Sequence, residues 1–259
     1  RAQRDMSYFR NFPTANYKFG NSEKAVNFQQ LSVFSDVIDD IKDNVTVYEE
    51  YTILENMRPD QISQEIYGTT EYYWTFYLLN DNIREQGWPL SQSELLAQAK
   101  KDYPDTVLTT STNLVQDLFT ATGQTREKIL PGSTITGQSS GVSGKIINRN
   151  LDLGHVTVKG KVSFNAGETA LLSTDTNVSF VINSVVDEHL ATHHFEDGDG
   201  NYVDIVSDSG VVDLTGASNT KITNLDNYVR VNNSLKEIRI FKAGVVQQVT
   251  DAIQSAIRS

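Results

Sequence analysis

The spacing of apolar positions changes along the chain, and each change marks an element. Val45-Thr-Val-Tyr-Glu-Glu-Tyr-Thr-Ile53 is β-branched and aromatic, which predicts a strand. Arg58-Pro59-Asp60 then opens a helix, because proline suits a first turn and an acid complements the positive end of the dipole. Ile62, Ile66 and Tyr67 share one face of that helix, and Gly68 is placed to stop it. A second helix is predicted from about Thr70 to Leu79, where Tyr73, Trp74, Tyr77 and Leu78 recur at helical spacing and fill an interior; Asn80-Asp81-Asn82 ends it. Ser91 with Glu94 forms a capping box for a third helix, with Leu95, Leu96 and Ala99 facing inward. The pattern over 46–108 is strand, helix, helix, then a loop returning to the start.

Beyond residue 108 the period falls to two. Ser133–Thr136, Lys145–Asn148, His155–Lys159, Lys161–Phe164 and Val178–Ile182 alternate apolar and polar residues, with turn residues between them. Seven of the 16 glycines lie between Gly132 and Gly167, so residues 109–182 read as a linker and an inserted glycine-rich antiparallel sandwich or barrel. In 183–259, His193 to Ile205 predicts a hairpin with Gly198 and Gly200 in its turn, and Ile238 and Ile240 alternate with charges in a short strand. Val245, Val249, Ile253 and Ile257 then repeat every four residues, which predicts an amphipathic C-terminal helix whose apolar face must be covered by this chain or a partner. Residues 1–45 form an arm with Tyr8, Phe9, Phe12, Tyr17 and Phe19 near its start; Ser35 could cap a short helix carrying Val37, Ile38 and Ile41. So many aromatics on an arm too short for its own core should dock elsewhere, either on this chain or on a neighbouring subunit.

Charge narrows the function classes. The net charge is −11, and between Tyr48 and Thr110 eleven acids face four bases, which disfavours a nucleic-acid surface built to neutralise phosphates. Without cysteine there are no disulfides, thiolate metal sites or cysteine nucleophiles, which fits a reducing cytoplasm. The longest apolar runs fall far short of the roughly 20 residues that span a bilayer, and no apolar stretch follows the opening charges, so no export signal or membrane association is expected.

Four constellations could carry chemistry. Gly137-Gln-Ser139-Ser-Gly141 matches a nucleophile elbow, but the motif requires a helix after the serine, and strand-like Lys145-Ile-Ile follows instead; a turn is expected. Gly141 to Ile146 fails as a phosphate loop because its glycine spacing is short and Ile146 replaces the magnesium-binding hydroxyl. His189 and His193 stand four apart, yet Glu188 precedes rather than follows the first, so structural histidines are expected. Asp197, Asp199, Asn201 and Asp208 take positions 1, 3, 5 and 12 of a calcium loop, but Tyr202 replaces its glycine and a solvated turn accounts for the acids. No catalytic residue, cofactor or metal is expected. Trp88, beside Pro89 in a loop, is a candidate contact residue, because aromatics are over-represented at binding hot spots.

The string from Tyr51 through Arg58-Pro59-Asp60, Ile66-Tyr67-Gly68, Tyr73-Trp74, Leu78-Leu79-Asn80-Asp81 and Ile83 to Trp88-Pro89-Leu90-Ser91 resembles the baseplate wedge protein 53 family of contractile-tailed phages. The opening Tyr8-Phe9-Arg-Asn-Phe12-Pro13, the His193-His194 hairpin and the ending from Leu235 to Ile257 are similar to that family as well. The same segment resembles a LysM module. It departs from cell-wall LysM proteins in having Asn56 to Asp60 as its turn, a single copy and no export signal. The resemblance implies a LysM-like strand-helix-helix-strand module, and with the inserted antiparallel β-domain and C-terminal amphipathic helix read above the fold class is α+β. It further implies a non-enzymatic virion protein that joins neighbouring wedge subunits in a ring-shaped tail baseplate, assembled in the host cytoplasm, with other baseplate wedge and tail proteins as partners. Tyr8, Phe9, Phe12, Trp88, Val245, Val249, Ile253 and Ile257 are the expected partner contacts. The alternative is a LysM-type protein binding peptidoglycan or chitin.

Overall fold

The computed structural model describes residues 14–17, 26–29, 46–110, 129–150, 152–203 and 219–258. They combine helices with antiparallel sheets, an α+β architecture, and the chain divides into two compact units, residues 1–91 with 232–259, and residues 92–231.

In the first unit, β1 (Thr14–Tyr17) and β2 (Val26–Gln29) form an antiparallel pair. β3 (Tyr48–Thr52) leads to α1 (Pro59–Tyr67). Both ends of α1 are set locally: Pro59 sits in the first turn, Gln61 Oε1 accepts from the Arg58 N–H at 2.9 Å, and Gly68 takes φ +72°. The expected second helix is divided. Thr70–Tyr72 is a 3₁₀ turn, α2 is Trp74–Leu79, and after an extended Asn80 a further helix, α3 (Asp81–Gln86), runs to Gly87. Thr75 donates its hydroxyl to the Tyr72 carbonyl at 2.7 Å, a local bond that competes with regular helix at this junction.

The strand that closes this unit is not a loop return within 46–108. It is β13 (Glu237–Phe241), antiparallel to β3 with Ile238 opposite Tyr51 and Phe241 opposite Tyr48. α6 (Val246–Arg258) follows it. Ile53, Ile62, Phe76, Ile83, Leu235, Ile238 and Ile240 form one core cluster; Leu78, Leu79, Phe241, Val246 and Ile253 form another. The aromatic stripe divides differently from its reading as interior. Phe76 is fully buried, Trp74 and Tyr77 are half-buried, and Tyr73, at the N-cap of α2, is 45% exposed.

The second unit opens with α4 (Gln92–Asp102), where Leu95 and Ala99 are buried but Leu96 is exposed. Six strands close into a barrel: β4 (Thr106–Thr110), β5 (Thr134–Gly137), β6 (Ser143–Asn150), β7 (His155–Val158), β8 (Thr169–Leu172) and β9 (Asp175–Asp187), in the order β4-β7-β6-β5-β8-β9. Closure leaves no unpaired edge. Two expectations change here. Thr106–Thr110 belongs to the barrel, where it pairs with both β7 and β9, and Lys161–Phe164 is not a strand, although Phe164 still fills the core. At Gly144 a Cβ would stand 2.3 Å from Val158 Cγ1, so β6 lies close to its neighbour only without a side chain there. After the barrel, β10 (Thr192–Glu196) pairs with β11 (Tyr202–Val203) as the expected hairpin and with β12 (Thr220–Thr223) on its other side. α5 (Asn224–Ser234) runs on from β12, and the division between the units falls inside it.

Candidate functional site

The β3–β13 pair has two unlike edges. Ile53 N donates to Lys236 O at 2.8 Å and Lys242 N to Val47 O at 3.0 Å, so the odd residues of β3 and the even residues of β13 bond across the pair. The backbone groups of Arg239 and Phe241 therefore turn away from β3, and side chains satisfy them. The Arg239 N–H donates to Asn80 Oδ1, and Asn80 Nδ2 donates to both Arg239 O and Phe76 O, each at 2.8 Å. The Tyr67 hydroxyl donates to Phe241 O at 2.8 Å, and burial pushes its own pKa upward. Asn80 is 7% exposed and acts as a one-residue third strand against β13. Asn232 does the same for Leu90, accepting from its N–H at 2.7 Å and donating to its carbonyl at 3.1 Å.

The opposite edge is different. Tyr48, Glu50 and Thr52 direct their backbone groups outward, and among the described residues β3 pairs with β13 alone. Leu54, just beyond it, is 60% exposed. A polar cleft of about 420 Å³ lies over Glu50, Leu79 to Asn82, and Glu237 to Arg239. Its acids are partly engaged: Arg84 pairs with Asp81 at 2.8 Å, and Thr52 Oγ donates to Glu237 at 3.0 Å. Arg239 lies over the Tyr48 ring at 5.0 Å.

The expected contact residues fall into three groups. Tyr8, Phe9 and Phe12 lie outside the described residues, as does the Ile257 side chain. Trp88 turns inward: its indole N–H donates to Met57 O at 2.8 Å, and its ring lies 6.2 Å from Phe76 and 5.9 Å from Tyr77. Ile253 is 1% exposed and Val249 packs half-buried on the same cluster, while Val245 is half-buried. Ile253 is thus covered inside its own unit, and Trp88 packs half-buried against the core cluster around Phe76. The sequence could not settle either point, because an amphipathic helix and a loop indole look alike whatever covers them.

Of the chemical constellations, Ser139 sits in the turn joining β5 and β6. Glu168, 6% exposed, accepts from the N–H and hydroxyl of both Ser139 and Ser140 and from Asn165 N at 2.6 to 3.2 Å. Burial would raise this carboxyl, but the hydrogen bonds from Ser140, Asn165 and Ser139 outweigh it and hold it at about 2. The serine hydroxyl is a donor to a fixed carboxylate, and the assembly is a structural clamp. Gly137 makes room for it, since a Cβ there would lie 2.6 Å from Glu168 Oε2. Sequence reading singled out Ser139 and missed Glu168, 29 residues on.

His189 is 4% exposed with its Nδ1 unpartnered, whereas His193 is exposed and contacts His194 instead, with 2.7 Å between their Nδ1 atoms. The Asp197 carboxylate accepts from Asp199 N at 2.9 Å and Asn201 N at 2.8 Å, closing the hairpin turn upon itself. Asp208 lies outside the described residues. Among the described residues no group of three or more His, Cys, Asp or Glu could hold a metal ion. Also among them, no helix is long and apolar enough to cross a membrane.

These features define a two-unit α+β protein whose ordered polar clusters lock strands and turns together. Residues 8–105 match the family described as base plate wedge protein 53, a span that takes in the arm, β3, α1 to α4 and the linker to the barrel. No curated protein matches the chain, and the comparisons lend no support to the glycan-binding alternative.

Proposed function

We propose that this chain is a non-enzymatic structural subunit of a phage tail baseplate wedge that joins neighbouring wedge proteins in the ring of a contractile tail. The match of residues 8–105 to the wedge protein family carries the reading. We read the first unit as LysM-like, with β3 and residues 237–241 as its two strands and α1 to α3 between them along the chain. Permanent assemblies commonly bury more than about 2,000 Å² per interface. The contact positions we assign are Tyr8, Phe9 and Phe12 of the arm, the outward edge of β3, and the exposed Leu54 and Tyr73. A strand edge gives main-chain hydrogen bonds to an extended segment of a partner, and flanking side chains give register.

Co-expression with the other wedge proteins of the same phage tests this. The full chain should co-elute with at least one of them on size exclusion. Replacing Tyr8, Phe9 and Phe12 together by alanine should abolish co-elution while leaving the unfolding midpoint of the first unit unchanged. A chain that remains a monomer beside every wedge protein would refute the proposal.

A further inference from the structure

We propose that His193 and His194 form a two-imidazole site for a divalent cation of square-planar preference, Cu(II) or Ni(II). Successive side chains of a strand point to opposite faces, so two adjacent histidines in β10 should not meet. They meet because the ladder slips. Thr192 is opposite Thr223 and His194 is opposite Ile222, which leaves His193 as the extra residue of a bulge. A bulge bends its strand and re-aims the side chain it carries. The two Nδ1 atoms stand 2.7 Å apart, with ring centroids separated by 5.0 Å and ring planes at 80°.

One imidazole is held in a ligand's tautomer. Arg230 grips Glu196 with two guanidinium nitrogens, and an ionised carboxylate only accepts hydrogen bonds. The 2.8 Å contact from His194 Nε2 to Glu196 Oε1 therefore places the proton of neutral His194 on Nε2 and leaves a lone pair on Nδ1. A carboxylate that orients the far nitrogen of a metal-binding histidine is the usual outer partner of such a ligand. Tyr202 stacks on the His194 ring at 5.6 Å with planes 21° apart, so the ring is clamped on its face as well as at its edge. By the same logic the 2.7 Å contact is a hydrogen bond from His193 Nδ1–H to the His194 Nδ1 lone pair; His193 is exposed, so its proton can pass to Nε2 and a cation takes the place of the shared proton.

The separation favours right-angle over tetrahedral coordination. Two donors about 2.0 Å from an ion and at right angles are about 2.8 Å apart, whereas tetrahedral donors at that length stand about 3.3 Å apart. The 2.7 Å observed lies near the right-angle value that tetragonal and octahedral ions share, and among such ions imidazole binds Cu(II) most strongly, with Ni(II) next. Water completes the coordination. The other two of the chain's four histidines, His155 and His189, are 7% and 4% exposed, so they do not compete.

The test uses the full chain without an affinity tag, stripped of metal and titrated with Cu(II), with electron paramagnetic resonance reading the nitrogens bound. The expected result is about one equivalent of Cu(II) in a tetragonal signal with two imidazole nitrogens. His193→Ala and His194→Ala should each weaken it about tenfold or more, and His189→Gln should leave it unchanged. Binding that survives the H193A/H194A double variant with unchanged affinity would overturn the proposal, as would a signal with one nitrogen or none. Circular dichroism of each variant separates ligand loss from misfolding.

Discussion

Asn80 offers the sharpest test of how the first unit is held. Replacing it by alanine removes three hydrogen bonds of 2.8 Å and strands Arg239 N, Arg239 O and Phe76 O beside a side chain too short to reach them. Each such bond contributes about 1 kcal/mol net, and leaving a buried partner unsatisfied adds further destabilisation of about 1 kcal/mol or more. The expected loss is about 3–4 kcal/mol, a large share of a typical domain's stability. Both tryptophans, Trp74 and Trp88, lie in this unit, so tryptophan emission during urea unfolding reports it. With a slope of about 2 kcal/mol per molar urea, the midpoint should fall by about 1.5–2 M. Asn80→Asp refines the reasoning. It keeps the acceptor for the Arg239 N–H but sets a carboxylate oxygen against two carbonyl oxygens, so its folded-state pKa must rise. Stability of that variant relative to the parent should therefore increase as pH falls through the raised value, because the protonated acid donates again. A shift below about 0.5 kcal/mol for Asn80→Ala, the size of an ordinary surface substitution, would show that the strand edge does not depend on this side chain.

Other consequences follow for both units. Glu168, depressed to about 2, contributes stability that is present above its unfolded value of 4.5 and lost as pH falls from there toward 2. Glu168→Gln should remove about 1–3 kcal/mol at neutral pH and flatten that acid limb in circular dichroism melts; an unchanged limb would exclude the clamp. Gly144→Ala should destabilise the barrel by about 1–3 kcal/mol through overpacking against Val158, with Val158→Ala restoring part of the loss in a double-mutant cycle. Ile253→Ala should cost the first unit about 2–4 kcal/mol, and removing residues 243–259 should shift tryptophan emission to the red; a truncated chain with native emission would contradict the burial of α6.

The sequence by itself determined what local chemistry controls. Pro59 and Gly68 bounded α1 because proline fixes φ and glycine takes the left-handed turn. The four-residue repeat from Val245 to Ile257 marked α6, and alternating residues marked β5 to β7, since side-chain period follows from backbone geometry. The tertiary structure alone decided which surfaces meet. That β13 completes the sheet begun by β3, that Thr106–Thr110 joins the barrel, and that Ile253 is covered by its own unit all depend on pairings far apart in the chain. Apolar strands and helix faces carry no address, because burial is favourable against any apolar partner and only the whole set of contacts selects one. The polar locks were hidden for the same reason. Asn80 read as a helix end and Glu168 as one acid among many, and each acquired its role only when folding set unpaired donors and acceptors beside it.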